Sequence, residues 1–325
     1  MKIAAIAPRS FFQRMFFGLT ILFVCTGFLR AEEIPKVTAD KERVIRTVRF
    51  LSEENFPITT KEDLEKRTNY LIKAVSEAGL EVTRDEFRVE AFSRHTFANL
   101  HALKKGKTDK RIVIGAHYDT IAETPGADDN ASGIATIIEL THMLKNVTEL
   151  NCDIEFVFYD AEEIGLLGSR FHAKKLKDQK VDVACMLCLD LVGYYSDEEN
   201  SQRYPVRGMS LLYGTKGDFL AMIGRAQDAA LITDAHKAFQ EATTLRLLSL
   251  PAPQGLDLLL SRSDHAPFWW EGYPALFFTD TADYRNKNYH KATDTWDTLD
   301  YDRLTQVPLG IYHVILTIDT AHAPN

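Results

Sequence analysis

Apolar residues near the start of the chain recur at three- and four-residue steps, the spacing of amphipathic helices. This pattern predicts helices over 41–53 and 61–78, and Gly79 closes the second as a glycine after a helix end commonly does. Residues 81–89 then alternate between apolar and polar positions, which predicts a strand with one face in water. We expect residues 96–103 to form the antiparallel neighbour of that strand.

Beyond residue 110 the pattern changes to short apolar runs separated by amphipathic segments. The predicted strands are 111–116, 154–159, 183–189, 210–214 and 274–279, and the predicted helices are 131–145, 168–176, 217–230 and 301–320. Continuous apolar strands alternating with helices are typical of a sheet that is buried on both faces. The predicted fold class is therefore α/β: a single domain over residues 32–325, with a largely parallel mixed central sheet and helices on both faces.

The extreme N-terminus has the pattern of an export signal. Basic residues precede an apolar run over 15–24, which is followed by small residues and then by Leu29, Arg30 and Ala31. A membrane anchor needs about 20 apolar residues, and this run is shorter. We therefore predict a signal peptide over residues 1–31, a secreted or periplasmic mature protein, and no stable membrane span after cleavage.

The charge of the chain excludes one class of partner. The formal net charge is −8 and the isoelectric point is near 5.7. Binding to nucleic acid needs a basic face that neutralises phosphates, and the sequence shows none. We expect no nucleic-acid partner, and the sequence leaves the oligomeric state open.

Acidic residues and histidines follow the predicted parallel strands, at the point where each strand ends. They are His117 and Asp119, Glu162 and Glu163, Asp190, and His290 in the loop after the last strand, with Asp128 and Asp129 in a loop that opens into a helix. Sites in such sheets lie beyond the carboxyl ends of the strands. Clustered carboxylates repel one another unless a cation neutralises them, and histidine nitrogen with carboxylate oxygen suits zinc.

Six motifs give these residues a family resemblance. They are GAHYDT at 115–120, PGADDNASGIA at 125–135, DAEEIGLLGS at 160–169, LDLVGY at 189–194, SDH at 263–265 and YHKATDT at 289–295. In this order they resemble the two-zinc exopeptidases, which include secreted bacterial leucyl-type aminopeptidases, glutamate carboxypeptidase and, more distantly, glutaminyl cyclases. The resemblance covers the chain from about residue 95 to its end.

The resemblance implies two zinc ions per chain and a role for each of the acids and histidines that follow the strands. It implies His117 and Asp190 on one ion, Glu163 and His290 on the other, and Asp128 as the bridge between them. Glu162 would be the general base for a water held between the ions. Asp119 would orient His117 from outside the metal ligands, Asp129 would lie beside the ligands, and a cis peptide would join Asp128 to Asp129.

The substrate implied is a peptide, cleaved at its end. An aminopeptidase is the first choice, because the uninterrupted domain resembles the short aminopeptidases of the family. A carboxypeptidase, a glutaminyl cyclase (an acyltransferase) and a non-catalytic binding module remain as alternatives. The candidate substrate-pocket residues are Asp264, His265, Trp269 and Tyr284.

Overall fold

The computed structural model describes residues 37–53, 61–92, 94–253, 255 and 260–324, and an eight-stranded sheet runs through them. The strands are β1 (Val82–Phe87), β2 (Phe97–Lys104), β3 (Arg111–His117), β4 (Asp153–Tyr159), β5 (Val183–Leu189), β6 (Phe219–Arg225), β7 (Arg246–Ala252) and β8 (Ala275–Thr279). Their spatial order is β1-β2-β4-β3-β5-β8-β6-β7.

The four strands at the centre of the sheet, β4, β3, β5 and β8, run parallel. At one edge β1 and β2 add in antiparallel fashion, and at the other β6 is antiparallel to β8 while β7 is parallel to β6. The predicted α/β class and mixed, largely parallel sheet are confirmed. The parallel centre brings the carboxyl ends of β3, β4, β5 and β8 to one edge, where the site lies.

Helices cover both faces of the sheet. They are α1 (Lys41–Glu53), α2 (Lys61–Glu77), α3 (Gly133–Met143), α4 (Leu167–Asp178), α5 (Met209–Tyr213), α6 (Ala229–Ala242), α7 (His265–Trp270), α8 (Tyr301–Leu304) and α9 (Gln306–Ala321). On one face α3 contacts α1 and α9, and α9 contacts α6. On the other, Leu176 of α4 and Phe268 of α7 share a buried cluster with Val113 and Val157 of the sheet.

The structure corrects the prediction between residues 210 and 252. The predicted strand 210–214 is the short helix α5, and the predicted helix 217–230 is the strand β6 followed by helix α6. Strand β7 was not predicted. A short apolar run such as 219–223 fits a buried strand and a buried helix equally well by periodicity, so the pattern alone could not decide. The last helix is also divided, into α8 and α9, around Thr305.

The predicted signal peptide over 1–31 lies outside the described residues and stays a prediction. Across the part of the chain that the structure describes, no helix is both long and apolar enough to cross a bilayer.

Candidate metal centre

A single carboxylate, that of Asp129, lies between two histidines at the carboxyl edge of the sheet. Its Oδ1 is 3.2 Å from Nε2 of His117, and its Oδ2 is 3.0 Å from Nε2 of His290. Each histidine has a second acid beside it: Asp190 lies 3.2 Å from His117, and Glu163 lies 3.4 Å from His290. The result is two adjoining sets of nitrogen and oxygen donors that share Asp129.

The main chain of the loop before α3 is fixed from both sides. The N–H of Asp129 donates to Asp294 Oδ2 at 3.2 Å, and the Asn130 side chain donates to the carbonyl of Leu189 at 2.9 Å. A Cβ on Gly133 would lie 2.5 Å from that same carbonyl oxygen, so this place in the loop requires a glycine. The loop therefore packs directly against the end of β5, and Asp190 is the next residue after that strand.

Two expectations for this loop are wrong. The place between the two histidines belongs to Asp129 and not to Asp128, whose carboxylate turns away and accepts hydrogen bonds from Gly193 N–H at 2.9 Å and Asn286 Nδ2 at 2.7 Å. The cis peptide joins Asp129 to Asn130, one bond later than expected. Adjacent acids in one motif are equivalent in sequence, and only the path of the backbone decides which of them faces the histidines.

Asp119 acts on two neighbours through different atoms. Its main-chain carbonyl lies 3.1 Å from Nδ1 of His117, while its carboxylate oxygen is farther away, at 3.6 Å. The carboxylate instead accepts the backbone N–H groups of Glu162 and Glu163, at 3.0 and 3.1 Å. The expected contact with His117 is therefore made by the main chain, and the side chain holds the turn that carries the two glutamates.

The turns at the edge of the sheet use backbone conformations that side chains rarely adopt. Ala161, Leu191 and His290 have φ values of 59°, 54° and 58°. Ala161 precedes Glu162, Leu191 follows Asp190, and His290 is itself one of the two histidines of the site. Such conformations cost free energy and cluster at functional sites, where the surrounding structure enforces them.

The electrostatics of the centre favour a cation. Burial and then the charge of Asp129 raise the pKa of Glu163, to about 7. Burial is also the largest cause of the pKa of Glu162 lying well above its usual range. For His290, burial lowers the pKa, but hydrogen bonds to Asp129 and Glu163 outweigh it and raise the pKa to about 9. Protons on histidine thus balance the acids, and a divalent cation would replace those protons.

A largely apolar cavity of about 130 Å³ opens beside the centre. Asp190 lines it at one side, and most of its wall comes from residues that the sequence did not single out: Met209, Tyr213, Phe219, Ala221, Ile223, Leu248, Leu250, Leu260 and Phe277. Many of these lie on β6 and β7, or on α5, in the region where the predicted elements were wrong. A correct strand assignment there would have pointed to them.

Of the four predicted pocket residues, only Tyr284 lines this cavity. His265 and Trp269 belong to the core: the imidazole stacks on Phe277 at 4.4 Å, and the indole donates to the Ala275 carbonyl at 3.0 Å. Asp264 is fully buried. These three therefore do not line the cavity, because the SDH segment leads into α7, which packs against α4.

Comparison with known proteins assigns the chain to a family. The model of peptidase family M28 matches residues 99–315. The uncharacterized protein YfbL of Escherichia coli (strain K12) is 33% identical over 291 residues, which cover 84% of this chain and 87% of YfbL. The chain belongs to peptidase family M28. The predicted resemblance is thereby confirmed.

Other M28 relatives carry a named activity. Leucine aminopeptidase 1 of Ajellomyces capsulatus (strain G186AR / H82 / ATCC MYA-2454 / RMSCC 2432) is 29% identical over 273 residues, covering 77% of this chain and 64% of the relative. The chain thus spans less than two thirds of that protein. Family membership supports a metal-dependent peptidase, and the groups of donors described above are consistent with it.

Solved structures share the fold at low sequence identity. LapB from Legionella pneumophila has a TM-score of 0.69 at 21% identity, covering 86% of this chain and 72% of LapB. BSAP, a zinc aminopeptidase from Bacillus subtilis, has a TM-score of 0.68 at 16% identity, covering 86% of this chain and 95% of BSAP. Glutaminyl cyclase from Porphyromonas gingivalis has a TM-score of 0.65 at 16% identity, covering 87% of this chain and 99% of the cyclase. These likenesses show the fold alone.

Proposed function

We propose that this M28 protein is an aminopeptidase that binds two zinc ions and removes single residues from the N-terminus of a peptide. The observation that carries the proposal is the position of Asp129, one oxygen of which faces His117 and the other His290. A carboxylate shared between two histidines, each with a further acid beside it, is a donor set for two neighbouring ions. Nitrogen and carboxylate donors in this combination suit Zn²⁺.

The residues that would hold the ions follow from the distances. His117 and Asp190 would hold one ion and Glu163 and His290 the other, with Asp129 shared. When bound, a pair of zinc ions lowers the pKa of a water molecule and polarises the scissile carbonyl. The main-chain carbonyl of Asp119 keeps the His117 proton on Nδ1, which leaves Nε2 free to bind metal.

Glu162 is the proposed general base. Its carboxylate lies in a group with His117, which belongs to one donor set, and Glu163, which belongs to the other. Glu162 is in neither of the two groups that contain Asp129. Burial favours its protonated form, and positive charge at the centre favours the carboxylate, which is the form that accepts a proton. Glu162 takes a proton from the attacking water and delivers it to the leaving amine.

The charges at the centre favour an amino terminus over a carboxyl terminus. Four carboxylates, those of Asp129, Glu162, Glu163 and Asp190, lie around the two histidines. A carboxylate oxygen that is not used by an ion can accept a hydrogen bond from the α-ammonium group of a peptide. Two arginines line the adjoining cavity, but both are engaged: Arg262 pairs with the carboxylate of Asp283 at 2.8 Å, and Arg203 donates to the main-chain carbonyl of the same residue.

The apolar cavity is the proposed place for the side chain of the terminal residue. Its lining of aliphatic and aromatic groups from β6, β7 and β8 excludes water and favours hydrophobic side chains. Asp190 belongs both to the cavity wall and to the proposed metal ligands. The side chain and the scissile bond of one residue can therefore be held at the same time.

The test combines metal counting with turnover on purified protein loaded with Zn²⁺. We expect about two zinc ions that are lost in Asp129→Asn, and chelator-sensitive release of N-terminal leucine from test peptides, with no release from the carboxyl end. Glu162→Gln should keep both ions and lose about 10²- to 10⁴-fold in turnover. Glu198→Gln, which changes an exposed acid, is the matched control.

Other outcomes would overturn the proposal. Cyclisation of N-terminal glutamine with a single zinc ion would identify an acyltransferase, and release from the carboxyl end a carboxypeptidase. Full metal loading without turnover on any of these peptides would indicate a binding module.

Export of the protein is a further proposal, and it rests on the basic and apolar segment at residues 1–31. N-terminal sequencing of the protein from the outside of expressing cells should find the mature chain beginning near residue 32. Retention of residues 1–31 on a cytoplasmic product would contradict it.

A further inference from the structure

A second group of metal-binding side chains lies away from the M28 centre and shares no residue with it. His101 is on β2, Glu155 on β4 and His172 on α4, so three elements contribute one side chain each. Nδ1 of His101 is 2.9 Å from Glu155 Oε1, and Nε2 of His172 is 3.5 Å from Glu155 Oε2. One donor atom from each of the three residues lies within 4.8 Å of the other two.

Each imidazole has a polar partner on its far side. Nε2 of His101 faces the carboxylate of Asp85 at 3.8 Å, and Nδ1 of His172 is 3.0 Å from the hydroxyl of Tyr159. Histidines that bind metal almost always direct the other ring nitrogen at a carboxylate, carbonyl or hydroxyl group, which fixes the tautomer. His172 has such a partner within hydrogen-bond distance, and the outer nitrogen of His101 faces Asp85 at a longer distance. In both residues the inner nitrogen faces Glu155.

The hydrogen bonds of His101 leave one nitrogen unsatisfied. A neutral His101 that donates from Nδ1 to Glu155 has a bare Nε2, and this buried atom has no hydrogen-bond partner. Its nearest acid, Asp85, offers only lone pairs. An ion on Nδ1 removes the conflict, because the ring hydrogen then sits on Nε2 and points at Asp85.

We propose that His101, Glu155 and His172 form a third metal site, which takes Zn²⁺ with two imidazole nitrogens and one carboxylate oxygen and leaves one coordination position open. Two nitrogens and one oxygen are a common ligand set for zinc. The site lies beside β4 on the face of the sheet that carries α4, whereas the M28 centre lies beyond the strand ends. The proposal does not rest on the proposed aminopeptidase activity.

Two basic side chains already pair with the acids at this site, and a proton on His101 is the alternative to a metal ion. Arg111 lies 3.1 Å from Glu155 Oε2, and Lys175 lies 2.6 Å from Asp85. These pairs already balance the two acids, so a bound ion must displace or share the Arg111 contact. A second proton on His101 would pair the ring with the carboxylates of Glu155 and Asp85 without any metal. The experiment therefore has to distinguish a zinc ion from a proton.

The deciding measurement is anomalous diffraction at the zinc edge from crystals of the unchanged chain grown with excess Zn²⁺. We expect an anomalous peak among His101, Glu155 and His172 in addition to any peaks at the M28 centre. Absence of that peak would overturn the proposal and leave the proton as the occupant. Because no substitution is needed, the result does not depend on how a variant folds.

Metal counting gives an independent readout in solution. His172→Gln should lose one equivalent of Zn²⁺ relative to the unchanged chain, and His313→Gln, a histidine of α9, should lose none. Asp129→Asn should empty the M28 centre but still retain one equivalent. Equal zinc content in His172→Gln and the unchanged chain would contradict the third site, whereas a fully loaded Asp129→Asn variant would contradict only the proposed function.

Discussion

Asp294 accepts the backbone N–H of Asp129 on its Oδ2, at 3.2 Å. The same carboxylate also accepts the N–H of Asp128. Asp294 is buried and lies more than 160 positions from the loop it holds. It contributes no donor to the groups around His117 and His290, yet it sets the direction in which the shared carboxylate faces.

Replacing Asp294 should weaken metal binding without removing a ligand. In Asp294→Asn one of the two acceptor oxygens becomes an NH₂ group, which cannot accept the N–H of the loop. We expect zinc affinity to fall about 10- to 100-fold, as is typical when a group that orients metal ligands is lost. Competition with a chelator of known affinity measures this, and Asp302→Asn, an exposed acid, is the control. Unchanged affinity would show that the loop holds its shape without Asp294.

The two adjacent acids of the loop should respond differently to the same change. Asp129→Asn should lose the zinc of the M28 centre and activity together, because it removes the shared carboxylate. Asp128→Asn should keep the metals but lower the free energy of unfolding by about 1–3 kcal/mol, since a buried NH₂ group then faces a donor, either Gly193 N–H or Asn286 Nδ2. Metal content and urea denaturation of both variants check this, and a zinc-free Asp128→Asn would restore the original assignment.

Filling the apolar cavity should change substrate preference more than it changes the chemistry. Ala221 lies on β6 in the cavity wall, and Ala221→Ile adds three carbon atoms there. We expect the ratio of kcat/KM for leucyl over alanyl peptides to fall at least about tenfold, because each displaced methylene is worth about 1–3 kcal/mol in such pockets. Ala230→Ile, at an exposed position of α6, is the control. An unchanged ratio would place the terminal side chain elsewhere.

Acid should destabilise the fold partly through His265. Burial lowers the pKa of His265 to about 3. The unfolded chain, with a pKa near 6.5, therefore binds more protons between pH 3 and 6.5, so this stability is complete above pH 6.5 and is lost as the pH falls. The cost at pH 5 is about 2 kcal/mol, from about 1.5 pKa units at 1.36 kcal/mol each.

The variant His265→Phe isolates that contribution. At pH 8 it should be less stable than the unchanged chain, because the hydrogen bond between Nε2 and the Leu260 carbonyl is gone. At pH 5 the difference in unfolding free energy should shift by about 2 kcal/mol in favour of the variant. Denaturant titrations at the two pH values measure the shift, and parallel stability curves would refute it.

The sequence predicted well whatever depends on local pattern. Strand 183–189 and helix 41–53 have the predicted bounds, and the polar residues after the parallel strands do meet at one edge. A continuous apolar strand followed by an acid or histidine is a strong local signal, because the parallel arrangement then places every strand end at the same edge.

What the sequence could not predict depends on contacts between distant segments. The choice between Asp128 and Asp129 is made by the backbone path, which Asp294 holds from far along the chain. The SDH segment drew attention to His265, but its imidazole serves the packing of α7 against Phe277. The cavity wall could not be predicted, because the apolar run at 219–223 has no periodicity that separates a strand from a helix.

The two histidines at the shared carboxylate come from segments far apart in the chain, one from the end of β3 and the other from the loop after β8. Neither donor set exists in a chain whose sheet is incomplete, so the free energy of binding an ion at this centre would add to the stability of the folded chain.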